Sequence, residues 1–320
     1  MATAEQIKSL IRSHLSEDDE RFYTLALQVA AHEAHQGHGA LAQDIRGILD
    51  KAKRDQGKNT LLKFPQELAG MVLSERAEMP LAALVATEAL RGRIERIIHE
   101  YRQQAKLQKH GLSHRRKILL AGPPGTGKTM TARVLSHELR LSLHTIQVDK
   151  LVTKFMGETS AKLRQIFDLI RDEPGVYLFD EFDAIGGDRS LDNDVGEMRR
   201  VLNALLQFIE QDDSDSLIIG ATNSADLLDR ALFRRFDDVL HYNLPDEAAR
   251  RRLMGNILGT FKGRLGWKSV LAESEGLSHA EIDQACRDSI KHAILNDSVK
   301  VGTSSLVTTL RERKETHKRT

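Results

Sequence analysis

The sequence predicts an α/β protein, with a core of parallel strands flanked by helices and helical regions before and after that core. Short apolar runs of strand length alternate with longer segments in which apolar residues recur at helical spacing. A glycine-rich loop joins the first of these runs to a helix. The chain has 320 residues, which is enough for two domains and a further small one.

Five runs in the core are predicted strands. They cover residues 117–121, 143–148, 176–181, 217–223 and 239–244. Helices are predicted between them over residues 130–139, 160–170 and 197–210. The third and fourth runs are apolar until their last residues, which is typical of strands in the middle of a parallel sheet. Residues 184–196 are rich in Gly, Asp and Ser and are predicted to form a loop. Together, residues 76–245 are the predicted α/β domain.

The region before the core, residues 1–75, is predicted to be a helical domain that recruits a partner or substrate. It contains no run of strand character, and its apolar residues recur at helical spacing in three stretches. These are Ile7, Leu10 and Ile11; Phe22, Leu25, Ala26 and Val29; and Leu41, Ile45, Ile48 and Leu49. A further helical pattern covers residues 74–109 and ends at His110 and Gly111.

The region after the core, residues 246–310, is predicted to be a helical lid. One helix begins near Arg250, and another covers Ser278 to Leu295. Ser278 followed by Glu281 predicts a capping box at the start of the second helix. Residues 311–320 mix basic and acidic side chains without periodicity, so we expect a frayed, charged tail.

The composition is that of an ordinary soluble protein, with 40% hydrophobic and 29% charged residues. The net charge of +1 gives no electrostatic argument for a nucleic acid or a membrane as partner. Cys286 is the only cysteine, which excludes an internal disulfide and favours a small buried side chain. No signal peptide and no apolar run of membrane-spanning length is visible, so we expect a cytoplasmic protein.

The glycine-rich loop predicts that the chain binds a nucleoside triphosphate. It fits the pattern G-x-x-x-x-G-K-[ST] and lies between a predicted strand and a predicted helix, as in P-loop NTPases. Backbone N–H groups would surround a phosphate, Lys128 would reach the β- and γ-phosphates, and the Thr129 hydroxyl would bind Mg²⁺. The predicted nucleotide-binding residues are Gly122, Pro123, Pro124, Gly125, Thr126, Gly127, Lys128, Thr129 and Met130.

Polar side chains follow the next predicted strands at the edge of the sheet where ligands bind. Asp180 is predicted to hold Mg²⁺ together with Thr129, and Glu181 to orient and deprotonate the attacking water. Asn223 could contact the γ-phosphate or that water. Arg234 and Arg235 follow soon after, either as surface charge or to neutralise charge in the transition state.

Two further features allow a functional or an ordinary interpretation. His32, His35 and His38 could bind zinc, but their spacing is not H-E-x-x-H, and a polar helix end is the favoured alternative. An adenine ring could lie near residues 79–84, a hypothesis that is based only on the position of this segment in the chain.

The order of these motifs resembles the AAA family of ring-forming ATPases over roughly residues 76–300. Residues 122–129 match the Walker A motif of that family, and residues 176–181 match Walker B. Asn223 falls at the position called sensor 1. Arg234 and Arg235 match the two arginine fingers, which the family's commoner form separates by Pro-Gly and which are adjacent here.

The resemblance extends to two more sites. Gly276 and Ser278 match the start of the sensor 2 helix, which contacts adenine or ribose. Lys154, Phe155, Met156 and Gly157 match the pore loop with which these rings grip polypeptide; a tyrosine or tryptophan is common at the position of Phe155. Residues 1–75 resemble no substrate-recognition domain of the family.

The resemblance implies a homo-oligomeric ring, usually a hexamer, that binds ATP and Mg²⁺ between subunits and hydrolyses the ATP. We favour a motor that remodels, unfolds or disassembles protein substrates through its pore, because an apolar pore loop suits polypeptide better than phosphate. A separate protease could be its partner, such as the subtilisin-like serine protease paired with some similar bacterial ATPases. The alternatives are a nucleic-acid-linked ATPase (a loader or transposition helper) and a nucleotide switch that assembles and releases a partner.

Overall fold

A computed structural model describes residues 19–39, 41–47, 49, 68, 70–148, 150, 159–181, 194–223 and 233–317. The chain forms two compact units, residues 1–60 and residues 61–320. The predicted pore loop, residues 154–157, lies outside the described residues, and so does most of the predicted loop 184–196.

The first unit is helical where it is described. Helix α1 covers Asp19–His35, and residues 41–47 are also helical. Both were predicted, whereas the first predicted stretch, Ile7 to Ile11, lies outside the described residues. The His38 Nδ1 atom lies 2.6 Å from a carboxylate oxygen of the buried Glu33. The described residues contain no group of three or more potential metal ligands.

The second unit contains six strands and nine helices within its described residues. In chain order they are β1 (Val72–Glu75), α2 (Glu88–Arg102), α3 (Gln104–Gln108), β2 (Lys117–Ala121), α4 (Lys128–Leu139), β3 (Leu143–Gln147), α5 (Thr159–Asp172), β4 (Val176–Asp180), α6 (Asp194–Gln211), β5 (Leu217–Thr222), β6 (Asp238–His241), α7 (Glu247–Leu258), α8 (Trp267–Glu273), α9 (His279–Leu295) and α10 (Thr303–His317). Short 3-10 turns occur at Leu81–Ala83 and Gly259–Phe261. None of the described helices is both long and apolar enough to cross a bilayer.

The six strands form one sheet in the order β1-β3-β4-β5-β2-β6. Strands β2 to β6 are parallel and confirm the five predicted strands, whereas β1 runs antiparallel to β3 at one edge. The prediction that residues 1–75 contain no strand is therefore wrong. Strand β1 is only four residues long and half polar, so it is too short to give a pattern. The predicted helix over residues 74–109 begins only at Glu88.

Two apolar cores cover the two faces of the sheet. Alternate residues of one strand enter different cores, as the two-residue period of a strand requires. In β2, Leu119 packs with α5 and α6, whereas Ile118 and Leu120 pack with α2 and α4. This layering fixes the sheet between helices, so that the loops following the strands can carry the functional groups.

A third core holds the lid, which is built from α7 to α10. The prediction of a frayed tail from residue 311 is wrong, because α10 continues to His317. Leu306 and Leu310 are completely buried in the lid core, and Arg313 forms an ion pair with Asp288 at 2.5 Å. These contacts order a helix whose own sequence lacks a clear apolar stripe. Cys286 is buried in the same core, as predicted.

One buried histidine joins three strands of the sheet. The His144 Nδ1 atom is hydrogen-bonded to the Ser74 hydroxyl at 2.7 Å, and its ring stacks on Tyr177 with 4.7 Å between ring centroids. Burial lowers the pKa of His144 from 6.5 to about 4. The folded protein therefore keeps this side chain neutral at pH values where the unfolded chain would bind a proton.

Acidification from pH 6.5 towards pH 4 is expected to destabilise the protein through His144, by up to about 1.4 kcal/mol for each pH unit. Urea denaturation of the wild type and of His144→Gln over this range measures the effect. The variant should be less stable at pH 7 but lose less stability on acidification. Equal pH dependence of the two proteins would contradict this role of His144.

Candidate active site

The loops that follow β2, β4 and β5 meet at one edge of the sheet. These three parallel strands are neighbours, with β5 between the other two. Their carboxyl ends therefore point the same way and bring together Gly122, Glu181 and Asn223, which follow the three strands. The edge combines the glycine loop, residues 122–129, with the acidic end of β4.

The shape of the glycine loop depends on glycine at two close approaches. Gly122 has φ +152°, and a Cβ there would lie 2.2 Å from the Tyr242 carbonyl oxygen. Gly125 has φ +70°, and a Cβ there would lie 2.7 Å from the Ser278 hydroxyl oxygen. The loop is closed by a hydrogen bond from the Thr126 hydroxyl to the Pro123 carbonyl at 2.7 Å. At Gly122 and at Gly125, any residue with a Cβ atom would force the neighbouring atoms to move.

The glycine loop has the hydrogen-bonding groups that a phosphate needs. Among the described residues, no backbone carbonyl accepts a hydrogen bond from the N–H groups of Gly125, Thr126 or Gly127. Helix α4 begins directly afterwards at Lys128, so the positive end of its dipole faces the loop. A series of donors at a helix N-terminus is a binding site for an anion such as a phosphate.

Lys128 is held in the loop by neutral oxygen atoms. Its side chain is buried, and its ammonium group donates to the carbonyls of Gly122 at 2.7 Å and Pro123 at 2.9 Å. It also donates to the Asn223 Oδ1 atom at 2.8 Å. The structure thus brings together two predicted site residues from the loops that follow different strands.

A hydroxyl and a carboxylate meet at the predicted magnesium site. The Thr129 hydroxyl donates to the Asp180 Oδ2 atom at 3.2 Å, and the Glu181 N–H donates to Oδ1 of the same carboxylate at 3.0 Å. Such oxygen atoms are the ligands that Mg²⁺ prefers, so Thr129 and Asp180 fit the ion. Met130, by contrast, packs against the core between α4 and the sheet.

Glu181 occupies a strained backbone position. Its φ is +54°, in the left-handed region, which costs a residue other than glycine about 1–2 kcal/mol. The residue is exposed at the end of β4. Residues in such conformations concentrate at active sites, where the surrounding structure offsets the strain. This position suits a side chain that acts on a ligand in front of the sheet edge.

The lid touches the glycine loop through the start of α9. Ser278 caps this helix, and its reciprocal hydrogen bonds with Glu281 confirm the predicted capping box. The backbone N–H of Ala280, two residues after Ser278, donates a hydrogen bond to the Gly125 carbonyl at 3.0 Å. Gly276 has φ +82° and open space around it, two residues before the cap. A ligand bound to the glycine loop would therefore contact the lid as well.

The two arginines lie at the opposite ends of the strands from the glycine loop, near the residues where β2 begins. The carboxylate of Asp237 accepts hydrogen bonds from the N–H groups of Arg116 and Lys117, at the start of β2, each at 2.9 Å. Arg234 and Arg235 lie three and two residues before this aspartate in the chain. The five residues of β2, about 16 Å in length, separate this end from the glycine loop. The structure therefore does not bring the arginines to the glycine loop of their own chain.

Two groups beside the glycine loop were missed by the sequence analysis. The buried Tyr242 hydroxyl donates to the Thr131 hydroxyl oxygen at 2.7 Å and connects β6 to α4. His279 lines a cavity together with Leu84 and Thr126. Leu84, the last residue of the predicted adenine segment 79–84, lines this cavity, whereas Met79 at the start of the segment packs against the core. A single tyrosine or histidine gives no recurring pattern, so the sequence carried no signal for either.

Comparison with known proteins identifies the family. A family model described as "ATPase family associated with various cellular activities (AAA)" matches residues 118–244. An uncharacterized AAA family ATPase of Sinorhizobium fredii, y4kL, is 33% identical in an alignment 309 residues long, which covers 92% of this chain and 90% of that protein. The chain belongs to the AAA family of ATPases. ATP hydrolysis, predicted from the sequence, follows from this membership.

Other AAA proteins share part of the chain or its fold. A proteasome-activating nucleotidase of Methanosphaerula palustris is 32% identical over 64% of this chain and 54% of its own length. The chain thus spans about half of that relative. The crystal structure of the FIGL-1 AAA domain superimposes with a TM-score of 0.62 at 21% identity, covering 80% of this chain and 95% of that one. This likeness confirms the AAA fold of the α/β core.

Gly125→Ala is expected to weaken ATP binding and to lower the stability of the protein, because the new methyl group displaces Ser278 at the start of α9. Gly70→Ala is the matched control, since Gly70 has φ +83° but no atom near its Cβ position. Both changes should cost about 1 kcal/mol of stability for the left-handed backbone, and only the first should lower ATP affinity. Calorimetric ATP titration measures this, and equal affinities in the two variants would contradict the loop–lid contact.

Proposed function

We propose that this AAA ATPase assembles into a ring of identical subunits, usually six, and uses ATP hydrolysis to remodel, unfold or disassemble protein substrates in the pore of the ring. One observation carries the proposal: the arginine pair and the glycine loop of one chain lie at opposite edges of its sheet. A second subunit placed with its arginine edge against the glycine loop of the first would complete the site. Head-to-tail contacts of this kind repeat until a ring closes.

The chain's own residues supply most of the catalytic groups. Lys128 would exchange its carbonyl partners for the phosphates of ATP. Glu181 would accept a proton from the attacking water, and Asn223, already bound to Lys128, would orient that water or the γ-phosphate. Mg²⁺ bound by Thr129 and Asp180 would neutralise charge on the β- and γ-phosphate oxygens.

The proposed site still needs a positive charge on the far side of the γ-phosphate, and an arginine of the neighbouring subunit would supply it. Such a residue is worth about 10³- to 10⁵-fold in rate in related phosphoryl transfers. Arg235 lies 3.6 Å from the Glu210 carboxylate of its own chain, and its side chain is 31% exposed. Arg234 is exposed and forms no ion pair with any described residue. We therefore assign the finger to Arg234 and a supporting role to Arg235.

Arg234→Ala is expected to bind ATP normally but to lose about 10³-fold or more in turnover, because the neighbouring site lacks its positive charge. Arg235→Ala should lose less, since its side chain is engaged within its own subunit. Steady-state ATPase rates and nucleotide titrations compare the two variants.

A mixing experiment tests whether the arginine acts on the neighbouring subunit. Glu181→Gln and Arg234→Ala should each be inactive alone. Mixed rings contain interfaces in which an intact Arg234 faces an intact Glu181, so activity should partly return. Full activity of Arg234→Ala alone, or no recovery in the mixture, would overturn the assignment.

The proposed substrate is an unfolded polypeptide. Phe155, Met156 and Gly157 form an apolar segment between charged residues, outside the described part of the structure. Apolar side chains hold diverse polypeptide segments but not a phosphate backbone. A relative over 64% of the chain is named as a proteasome-activating nucleotidase, which supports a protein substrate. We further propose that residues 1–75 recruit the substrate or a separate partner, such as a subtilisin-like serine protease.

Phe155→Ala is expected to abolish the stimulation of ATP hydrolysis by a permanently unfolded model protein, because the apolar grip on the polypeptide is lost. Phe155→Trp keeps an aromatic ring and should retain the stimulation. ATPase rates with and without the unfolded protein measure the effect, and single-stranded DNA serves as the comparison. Stimulation by the DNA and not by the protein would favour a nucleic-acid-linked ATPase instead.

A further inference from the structure

Part of the lid is strongly basic, although the chain as a whole has a net charge of only +1. Residues 248–271 contain six lysine and arginine residues and no aspartate or glutamate. They cover most of α7, the start of α8 and the segment between these helices. Two of the six are bonded within the chain, because Arg250 donates to the Pro245 carbonyl and Arg252 to the Ala86 carbonyl. The other four are Arg251, Lys262, Arg264 and Lys268.

These four side chains are exposed and lack acidic partners. None of them forms an ion pair with any residue that the structure describes. Other exposed cations of the lid do have such partners, namely Arg287 with Asp283, Lys291 with Asp288 and Arg311 with Glu273. Uncompensated charges of one sign create a local field that attracts a partner of the opposite sign.

A tryptophan brings two of the four cations together. The guanidinium carbon of Arg251 lies 5.0 Å from the centroid of the Trp267 ring, and the Lys262 ammonium nitrogen lies 5.2 Å from it. The same nitrogen is 3.8 Å from the Cβ position of Gly255, one helical turn after Arg251 in α7. Cation–π contacts of this length hold long side chains that would otherwise be mobile. Less entropy is therefore lost when the two cations bind an anionic partner.

The surroundings of Trp267 favour a carboxylate-bearing partner over a nucleic acid. Proteins that bind single strands stack the bases on exposed aromatic rings. The Trp267 ring packs against the lid core and has two cations against it, so little of its face is left for a base. Carboxylates need no stacking surface, because each pairs directly with an arginine or lysine side chain.

We propose that Arg251, Lys262, Arg264 and Lys268 form a docking surface, the basic lid surface, for an acidic segment of a partner or substrate polypeptide. This contact is additional to the proposed pore segment at Phe155. All four residues belong to the lid of one chain, so docking requires neither ATP nor ring closure. A polypeptide held there would have a raised local concentration at the ATPase.

Trp267 itself reports on the docking, because it is the only tryptophan of the chain. A decaglutamate peptide is titrated into the full chain without nucleotide. The tryptophan emission should change and then saturate as carboxylates bind the two cations next to the ring. Higher salt concentration should weaken the binding, since the charges are exposed and are screened by ions.

Two double variants of equal charge test the location of the site. Arg251→Gln combined with Lys262→Gln should weaken binding of a labelled decaglutamate peptide about tenfold, the combined effect of two exposed ion pairs. Lys106→Gln combined with Lys109→Gln removes the same charge from exposed positions in and just after α3, and should leave the affinity unchanged. Fluorescence anisotropy of the labelled peptide measures both affinities and does not depend on Trp267.

Several results would overturn the proposal. These are no binding of the peptide, equal affinities in the two double variants, or tighter binding of a decathymidylate strand than of the peptide. Loss of binding in Phe155→Ala would place the peptide in the pore instead of on the lid. Tryptophan emission that changes with protein concentration alone would assign the surface to a second copy of the chain. Failure of polypeptide remodelling, by contrast, would show in the Phe155 assay and leave docking at the lid intact.

Discussion

The bonding of the Lys128 ammonium group is the interaction on which the site depends. A buried cation needs oxygen partners, and this one takes two carbonyls from its own loop and a side-chain oxygen from the end of β5. The same bonds fix the curvature of the glycine loop and its distance from Asn223. The site is therefore shaped before any ligand arrives, which reduces the entropy lost on binding.

The lid is part of this arrangement. Gly125 contacts Ser278 and Ala280 at the start of α9, while Gly122 lies against the backbone of Tyr242. A change in the shape of the glycine loop on nucleotide binding or hydrolysis would therefore shift two segments outside it, the start of α9 and the chain at Tyr242. Because the contacts are close-packed and use backbone atoms, small shifts cannot be absorbed by side-chain rotation alone.

Much of the fold and site could be predicted because their signals are local and repeated. The strands of the core, the glycine loop and the capping box at Ser278 each follow from spacing within a few residues. Strand β1 and the end of α10 could not be predicted in this way, because both depend on partners distant in sequence. The sequence likewise could not show that Arg234 lies at the far edge of the sheet, since this follows from strand order.

The placement of the arginines has a consequence for counting active sites. In the proposed head-to-tail row of subunits, each junction would join one glycine loop to one arginine edge. A row of any length then ends with one glycine loop that has no arginine and one arginine edge that has no nucleotide. Only closure pairs these two ends, so the last site forms together with the ring itself. An incomplete assembly would always hold one subunit that can bind ATP but cannot use it efficiently, and that subunit marks where the next one must join.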